Sequence, residues 1–408
     1  MKKILLKIPK LILAILFLPF WWLQRLIPRN KNIFVFGSWR GRKYSDNSKA
    51  LYEYILKNEP NIRPYWITRD KKLYKKLLSE NKPVVLAFSF KGWLVSLCAS
   101  VAFNCATYNN VNQYALNGAI RIWLFHGMPL KKIGGDIDNS IYNLKRKHTF
   151  IELIKLLMIK YLLPYDYLKK IVSATISSGE LFLPFLKSAF FLSENRVWAT
   201  GLPRTDFYFE NKTEGIINKI RKNFIDSRIV LYMPTFRDSL KRKGMPYNPF
   251  DDKSFNSILF LDFLNNTNIV FLYKAHHVDS KFNCSILSDR FTLINDNDYD
   301  ELYVLISNID ILITDYSSVY FDFLCLDKPA VLAPFDYEDY INKSRNLNFD
   351  YNLLPSIKAY SWNELIEIIA EKKYYSVPKE EREKFCKYND GHASERVLQK
   401  TLELINNN

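Results

Sequence analysis

Short apolar runs, each ending in a polar turn and followed by an amphipathic stretch, recur along most of the chain. Apolar runs of this length are typical of buried strands, and the amphipathic stretches between them are typical of helices. The first half of the chain predicts a helix at residues 49–57 and strands at residues 32–36, 65–68, 84–88, 101–107, 120–125 and 196–200. Strands that alternate with helices in this way predict a parallel sheet with helices on both faces.

The same alternation begins again after a polar linker at residues 210–214. It predicts a helix at residues 300–307, a C-terminal helix at about 394–404, and strands at residues 229–233, 269–273, 291–294, 311–314 and 330–334. A chain of 408 residues is also too long for one ordinary hydrophobic core. We therefore expect an α/β protein with a first domain at residues 32–209, a second at residues 225–390 and a C-terminal segment at residues 391–408.

The N-terminal segment, residues 1–31, has a different pattern. Four lysines precede an apolar run at residues 11–23, which ends in two tryptophans and is followed by further cations. The run is shorter than the roughly 20 residues that a spanning helix needs, Pro19 interrupts it, and no cleavage site of a signal peptide follows it. Cationic flanks and paired tryptophans are typical of a helix that lies in the lipid headgroup region. We expect a peripheral anchor on the cytoplasmic face of a membrane, with a single span as the alternative.

Two more apolar stretches, at residues 151–163 and 181–192, have two interpretations. Their length favours core helices of the first domain. The alternative is that either stretch dips into a membrane.

Composition narrows the classes of function. Hydrophobic residues make up 48% of the chain and aromatic residues 15%, which excludes a disordered or low-complexity protein. The formal net charge of +16 fits three kinds of partner: nucleic acid, an anionic membrane surface or phosphorylated substrates. Nucleic acid is the weakest of the three, because the lysines are spread along the chain and no nucleic-acid-binding signature is present.

No motif for a metal or a nucleotide cofactor is complete. The five cysteines lack the paired spacing of a metal site and indicate a reducing compartment. Gly37 and Gly41 lack the third glycine of a dinucleotide-binding loop, and no phosphate loop of the nucleoside triphosphatases is present. The acidic run at residues 296–300 has Glu301 where a calcium loop requires glycine. We therefore expect neither a metal nor a cofactor.

A histidine, His126, ends the strand predicted at residues 120–125 and is followed by Gly127. Open α/β sheets bind ligands at the carboxyl ends of their strands. A neutral imidazole at this position can accept a proton from a hydroxyl group at physiological pH. The sequence therefore predicts His126 as a general base; the alternative is a histidine that only caps the strand.

Three strands of the second domain deliver polar side chains to one edge of the sheet, namely Arg237, His276 and Ser317. A guanidinium fork, a second donor and a helix N-terminus together suit a diphosphate. Ser317 or Ser318 is predicted to cap the helix after residues 311–314, so this turn is either an anion site or an ordinary capped turn. In the first domain Arg204 is expected to pair with Asp206 beside the cleft.

Short motifs lie in the turns between the predicted elements. They are Phe36-Gly-Ser, Tyr44-Ser-Asp-Asn, His126-Gly-x-Pro-Leu-Lys, Gly201-Leu-Pro-Arg, Pro234-Thr-Phe-Arg-Asp, Lys274-Ala-His, Thr314-Asp-Tyr-Ser-Ser, Phe321-Asp and Asp390-Gly-His-Ala-Ser-Glu. Together and in this order they resemble the CDP-glycerol glycerophosphotransferase family of teichoic acid and capsule synthesis, over residues 32–406. The chain departs from the family with Met128 in place of threonine, His277 in place of proline, and a bulkier first loop at Trp39-Arg40.

The resemblance implies a GT-B arrangement, in which two Rossmann-like domains face each other across a cleft and the C-terminal helix packs back on the first domain. It implies two catalytic histidines, His126 and His276. It also implies that the CDP part of the donor contacts His126, Gly127, Met128, Pro129, Leu130, Arg204, Pro234, Thr235, Arg237, Lys274, His276, Ser317, Ser318 and Asp322. The acceptor side would be formed by Asp46, Asn47, Lys131 and Lys132.

The function that the resemblance implies is transfer of a polyol phosphate, in first place glycerol phosphate from CDP-glycerol, to a hydroxyl of a lipid-linked or polymer acceptor, with release of CMP. The expected partners are thus a CDP-polyol, that acceptor and an anionic membrane surface, with a homo-oligomer possible and no nucleic acid. A CDP-ribitol phosphotransferase and a nucleotide-sugar glycosyltransferase of the same fold remain alternatives. A non-catalytic membrane-bound protein would leave the convergent polar residues unexplained.

Overall fold

The computed structural model describes residues 8–105, 108–143, 145–164, 167, 171–237, 247–276, 286–343 and 346–407. The strands are β1 (Asn30–Gly37), β2 (Arg63–Thr68), β3 (Val84–Leu86), β4 (Ala99–Asn104), β5 (Ile120–Trp123), β6 (Ala174–Ser177), β7 (Val197–Ala199), β8 (Arg228–Met233), β9 (Ile269–Tyr273), β10 (Phe291–Leu293), β11 (Ile311–Thr314) and β12 (Ala330–Leu332). The helices are α1 (Ile8–Leu23), α2 (Asp46–Asn58), α3 (Lys71–Ser79), α4 (Phe90–Cys98), α5 (Phe150–Leu162), α6 (Leu183–Phe190), α7 (Gly215–Asn223), α8 (Ser257–Asn266), α9 (Leu302–Ser307), α10 (Val319–Phe323), α11 (Tyr337–Lys343), α12 (Trp362–Ala370), α13 (Lys379–Cys386) and α14 (Ala393–Asn406).

The first half of the chain forms a seven-stranded sheet in the order β3-β2-β1-β4-β5-β6-β7. Every pairing in it is parallel, so the prediction of a parallel sheet is confirmed. The order is that of a doubly wound nucleotide-binding fold, with its reversal beside β1. The sequence pattern misses β6, because this short strand contains a single large apolar residue, Ile176.

The second half forms a five-stranded parallel sheet in the order β10-β9-β8-β11-β12. Its inner strand β11 is fully buried, as the run of apolar and β-branched residues predicts. Leu312 pairs with Leu231 on one side and with Ala330 on the other. The α/β prediction thus holds for both halves of the chain.

Polar side chains cap the N-termini of several helices. Asp70 accepts hydrogen bonds from the backbone N–H groups of Lys72 and Leu73 at the start of α3. Thr149 and Glu152 form a reciprocal capping box at the start of α5. Short polar side chains therefore define where these helices begin.

The C-terminal helices return to the first sheet. Asp206 accepts hydrogen bonds from the backbone N–H groups of Ala393 (3.0 Å) and Ser394 (2.8 Å) at the start of α14. Ser178, beyond β6, donates to the carbonyl of Phe385. The predicted pair of Arg204 with Asp206 is wrong, because this carboxylate caps α14.

The helix α1 packs against the first sheet unit through its C-terminal end. Trp21 is buried, and its carbonyl accepts a hydrogen bond from Asn117 Nδ2 at 2.6 Å. Gln24 is also buried and donates to the carbonyl of Tyr114. Within the described part of the chain, no helix has both the length and the apolarity needed to cross a bilayer. Residues 1–7 of the predicted anchor lie outside the described residues.

The two ambiguous apolar stretches behave differently. The helix α6 buries Leu186, Ala189 and Phe190, so its interpretation as a core helix is right. The helix α5 buries none of its residues, so the same interpretation is wrong for residues 151–163. The two predicted stretches are similar in length, so the sequence could not distinguish them. Only the packing of neighbouring elements decides which one is buried.

Candidate active site

A cavity of about 820 Å³ lies between the two sheet units, at the carboxyl ends of their strands. A ligand pocket of this size suits a nucleotide-sized molecule. The first unit contributes, among others, Trp39, Lys43, Asp46, Lys49, His126 and Arg204. The second unit contributes, among others, Pro234, Lys274, His276, Asp296, Ser317, Ser318 and Asp322. Residues as far apart in the chain as Asp46 and Asp322 therefore meet in one cavity.

His126 follows β5 in a strained turn. Phe125 has a left-handed φ of +52°, which costs free energy for a non-glycine residue, and Gly127 has a φ of +151°. The His126 ring makes an edge contact with Trp39, with ring centroids 5.9 Å apart. With this backbone geometry the imidazole of His126 lines the cavity.

Gly127 lies close to Ser318 of the second unit. A Cβ atom placed on Gly127 would lie 2.0 Å from Ser318 Oγ and 2.7 Å from Ser318 Cβ. Only glycine leaves room for that serine, and only glycine readily adopts this φ. The loop that carries His126 is therefore held against the turn that carries the two serines.

The serine turn differs in detail from the prediction. Ser318 occupies the N-cap position of α10 without a side-chain cap, and Ser317 Oγ instead accepts from the backbone N–H of Val319 at 3.4 Å. The helix α10 has five residues before it tightens into a 3-10 turn at Leu324–Leu326. Both serines face the cavity, but a long helix dipole does not stand behind them.

Lys274 and His276 follow β9 and face the cavity from the same side. The His276 ring packs on Phe236, with centroids 4.7 Å apart. Lys274 Nζ lies 2.7 Å from Asp296 Oδ1. Burial alone would raise the pKa of Asp296, but hydrogen bonds from Lys274 and Lys43 hold that pKa below its usual value. His277, where the chain departs from the family, lies outside the described residues.

Arg204 bridges the two units at the floor of the cavity. Its Nη1 donates to Asp46 Oδ1 at 2.8 Å, and its Nη2 donates to Asp322 Oδ2 at 2.6 Å. The Arg204 side chain is only 3% exposed, and Tyr303 also donates to Asp322. Burial raises the pKa of Asp322 to about 6 in spite of the contact with Arg204. Arg204 is predicted to contact the CDP part of the donor. Both of its terminal nitrogens instead donate to carboxylates of the protein.

The two predicted acceptor-side residues of α2 have distinct surroundings. Asp46 lines the cavity with a left-handed φ of +70°. Burial alone would raise its pKa, but the charge of Arg204 together with hydrogen bonds from Cys105 and the backbone of Asn47 holds that pKa below its usual value. Asn47 is fully buried and donates to the carbonyls of Leu124 and Phe125 at 2.9 Å. Asn47 thus supports the His126 loop from behind.

Arg237 is not brought into the cavity. Its Nε and Nη2 donate to the two oxygens of Asp336, and its Nη1 lies 2.9 Å from Asp315 Oδ2. The side chain is 5% exposed and packs near Tyr316 and Tyr340. The predicted convergence of Arg237 with His276 and Ser317 is therefore incomplete, because two carboxylates hold the guanidinium away from the cavity.

The remaining predicted residues surround the cavity without lining it. Met128 is buried, and its Sδ accepts from the backbone N–H of Ser178 at 3.4 Å, so it is a core residue. The residues beside it in the same loop are Pro129, Leu130, Lys131 and Lys132, and this loop pairs with residues 346–348 of the second unit. Thr235 donates its backbone N–H to Asp315.

Two ion pairs across the cleft are absent from the sequence prediction. Lys43 Nζ lies 2.8 Å from Asp296 Oδ2, and Lys49 Nζ lies 2.6 Å from Glu301 Oε2. Each pair joins residues about 250 apart in the chain, so no local pattern could reveal it. In the described residues, no group of three or more His, Cys, Asp or Glu side chains is arranged to hold a metal ion.

The chain is similar to known proteins over most of its length. The model of the CDP-glycerol:poly(glycerophosphate) glycerophosphotransferase family matches residues 20–403. A teichoic acid glycerol-phosphate transferase of Staphylococcus aureus is 30% identical over 385 residues, which cover 91% of this chain and 92% of that protein. A teichoic acid poly(glycerol phosphate) polymerase of Bacillus spizizenii is 28% identical over 403 residues, with 92% and 93% coverage.

The fold is also found among solved structures. The wall teichoic acid polymerase TagF superposes with a TM-score of 0.68 at 23% identity, over 93% of this chain and 89% of that chain. The similarity in fold extends over both sheet units. The family resemblance of the sequence motifs is thus confirmed, and the chain belongs to the CDP-glycerol:poly(glycerophosphate) glycerophosphotransferase family.

Proposed function

We propose that the protein transfers glycerol phosphate from CDP-glycerol to a hydroxyl group of a membrane-linked acceptor in teichoic acid synthesis, releasing CMP. The observation that carries this proposal is the cavity in which His126 of one sheet unit faces His276, Ser317 and Ser318 of the other. A base on one wall, and hydrogen-bond donors for phosphate oxygens on the opposite wall, suit attack of a hydroxyl group on a bound diphosphate. Membership of the family supplies the donor class.

In this proposal the two units form a GT-B arrangement, with CDP on the second unit. Lys274, His276 and the hydroxyl groups of Ser317 and Ser318 would contact the diphosphate. The acceptor hydroxyl, deprotonated by His126, attacks the phosphorus next to the glycerol, and the bond between that phosphorus and the bridging oxygen of CMP breaks. Lys274 and His276 take the role predicted for Arg237, because both line the cavity, whereas Asp315 and Asp336 hold Arg237 away from it.

Donor identity is tested directly by the release of CMP. We expect release from CDP-glycerol in the presence of membranes that carry the acceptor, and little from CDP-ribitol or from nucleotide sugars. Preferred turnover of a nucleotide sugar would contradict the proposal and favour a glycosyltransferase of the same fold.

The serine turn yields a prediction about donor affinity. Replacing Ser317 and Ser318 together by alanine removes two hydroxyl groups from the cavity wall without adding bulk near Gly127. Because each lost hydrogen bond costs about 0.5–1.5 kcal/mol, we expect the Kd for CDP to rise about tenfold. Calorimetry with CDP measures this change, and Ser376→Ala, whose hydroxyl donates to the carbonyl of Asp327, is the control. An unchanged Kd in the double variant would exclude the turn from the donor site.

We also propose that the protein lies peripherally on the cytoplasmic face of the membrane. The helix α1 packs against α5, and Phe17 and Phe20 of α1 contact Trp93 of α4. Together these helices expose an apolar face, which we define as Ile15, Leu16, Phe20, Leu23, Phe90, Leu94, Phe150, Ile151, Leu153 and Leu157. Contiguous exposed apolar side chains with cations nearby are typical of a membrane-contacting surface. The free cysteines Cys98, Cys105, Cys325 and Cys386 support a reducing compartment.

This apolar face predicts a loss of membrane binding on substitution. Leu153 and Leu157 are 45% and 53% exposed, and their joint replacement by glutamine removes apolar area that the bilayer would bury. We expect binding to phosphatidylglycerol vesicles to fall at least about tenfold in a sedimentation assay, since burying one leucine contributes about 1.5–3 kcal/mol. The matched control replaces the exposed Ile225 and Ile258 of the second unit by glutamine. Equal losses in both double variants would contradict this assignment.

A further inference from the structure

A second cavity, of about 540 Å³, lies at the amino ends of β5, β6 and β7, opposite the strand ends that face the main cavity. It is lined by the end of α1 and by the turn before β5, together with residues that precede β6 and β7. Ligands of open α/β sheets bind at the carboxyl ends of the strands. This cavity is therefore separate from the donor site and needs its own explanation.

Three arginines, Arg25, Arg121 and Arg196, line the second cavity, and no aspartate or glutamate lines it within the described part of the chain. The main cavity is different, because aspartates and glutamates line it together with its lysines. Guanidinium groups gathered without lining carboxylates create a positive potential that attracts an anion. The planar fork of arginine matches the oxygens of a phosphate group in particular.

The protein builds this cavity with specific contacts. Arg121 is 6% exposed, donates to the carbonyl of Leu116 at 3.1 Å and lies 5.3 Å from the ring centroid of Trp21. Asn117 anchors the turn, because its Nδ2 donates to the carbonyl of Trp21. Arg25 Nε donates to Asn117 Oδ1 at 3.4 Å. A buried arginine held by a tryptophan face and a backbone carbonyl is therefore already in place before a ligand binds.

The surroundings indicate the source of the anion. Trp22, 42% exposed, lines the cavity and stacks near Arg25 at 5.3 Å, and it lies on α1 beside Phe20 and Leu23 of the apolar face. Tryptophan prefers the boundary between the acyl chains and the headgroups of a bilayer. The cavity volume also exceeds that of an inorganic phosphate and falls in the range of organic ligands.

We propose that this second cavity binds the phosphate-ester headgroup of an anionic lipid. The inference rests on the proposed membrane association and gives it a specific contact: the apolar face enters the bilayer while the three arginines hold one headgroup. The second cavity and the main cavity lie at opposite ends of the strands of the first sheet. A bound headgroup would therefore also define the orientation of the active site relative to the membrane surface.

The test compares two charge-matched double variants. Arg25→Gln with Arg196→Gln removes two cations from the cavity, and Lys219→Gln with Lys222→Gln removes two cations from α7 of the second unit. Binding is measured by sedimentation with vesicles of phosphatidylglycerol and of phosphatidylcholine. Calorimetry without vesicles measures binding of dihexanoylphosphatidylglycerol below its aggregation concentration, and of glycerol phosphate. Thermal unfolding of each variant checks that the fold is intact.

We expect the cavity variant to bind phosphatidylglycerol vesicles and the short-chain lipid about tenfold more weakly, and the control variant to lose less than about twofold. Equal losses in the two variants, or no saturable binding of either soluble ligand to the natural protein, would overturn the proposal. If the short-chain lipid binds and glycerol phosphate does not, the ligand of the cavity is a lipid headgroup. If glycerol phosphate binds equally well, the ligand is a soluble phosphate ester, which contradicts the proposal. If the soluble ligands bind and vesicles do not, the cavity stands and the membrane association fails.

Discussion

Replacing His126 by alanine is expected to lower the rate of CMP release by a factor of about 10² to 10⁴, the contribution typical of a general base. The variant removes the imidazole that the strained turn directs into the cavity, and it leaves the opposite wall with Lys274, His276 and the serines intact. We therefore expect the Kd for CDP to change less than about twofold. Steady-state kinetics and calorimetry on the same preparation measure the two quantities.

The control for this experiment is His392→Ala, because His392 is 67% exposed at the start of α14 and faces Glu395. This variant should keep the natural rate. A loss of CDP affinity in His126→Ala with the catalytic rate retained would show that His126 binds the donor and that another group accepts the proton. His276→Ala would then be the next variant to measure, since His276 is the other imidazole at the cavity.

Replacing Arg204 by methionine is expected to destabilise the protein by about 3–5 kcal/mol, the cost typical of leaving a buried charge without its partner. Asp46 and Asp322 are both almost inaccessible to solvent, and each is held by one nitrogen of Arg204. Methionine fills similar space and provides no positive charge. Denaturation by urea, followed by fluorescence, measures the free energy of unfolding.

Arg221→Met is the matched control for the Arg204 variant. Arg221 also pairs with an aspartate, Asp310, but both side chains are more than a third exposed, and an exposed pair contributes about 0–1 kcal/mol. Adding Asp46→Asn and Asp322→Asn to Arg204→Met should recover part of the lost stability, because the unpaired carboxylates are then gone. An Arg204 variant no less stable than the Arg221 variant would contradict the role of Arg204 as the bridge between the units.

The backbone architecture follows closely from the apolar pattern. The predicted and observed bounds coincide for β9 and β11, because a fully buried parallel strand is a continuous apolar run that ends where the chain reaches solvent. The missed strand β6 lacks this run and is defined by its neighbours in the sheet. The same logic placed His276 and Ser317 at one end of the second sheet, where both line the cavity, whereas the family resemblance placed His126 opposite them.

Partners of the charged side chains did not follow from the sequence. Arg237 lies at the predicted edge but binds Asp336, which is 99 residues away in the chain. Arg204 binds Asp322, which is 118 residues away, instead of its near neighbour Asp206. Arg204 and Asp206 are close in sequence but do not pair, because the Asp206 carboxylate accepts hydrogen bonds from the first backbone N–H groups of α14.

The sequence by itself determined the α/β class, the two parallel sheets, the family and the set of loops that meet at the cavity. These depend on local apolar patterning and on short motifs, which each segment carries within itself. Only the tertiary structure decided which cations face the cavity and which are neutralised by carboxylates, that α5 lies on the surface, and that a second, arginine-lined cavity exists. These features depend on ion pairs and packing between segments far apart in the chain, whose free energies are set by burial and distance in the folded protein.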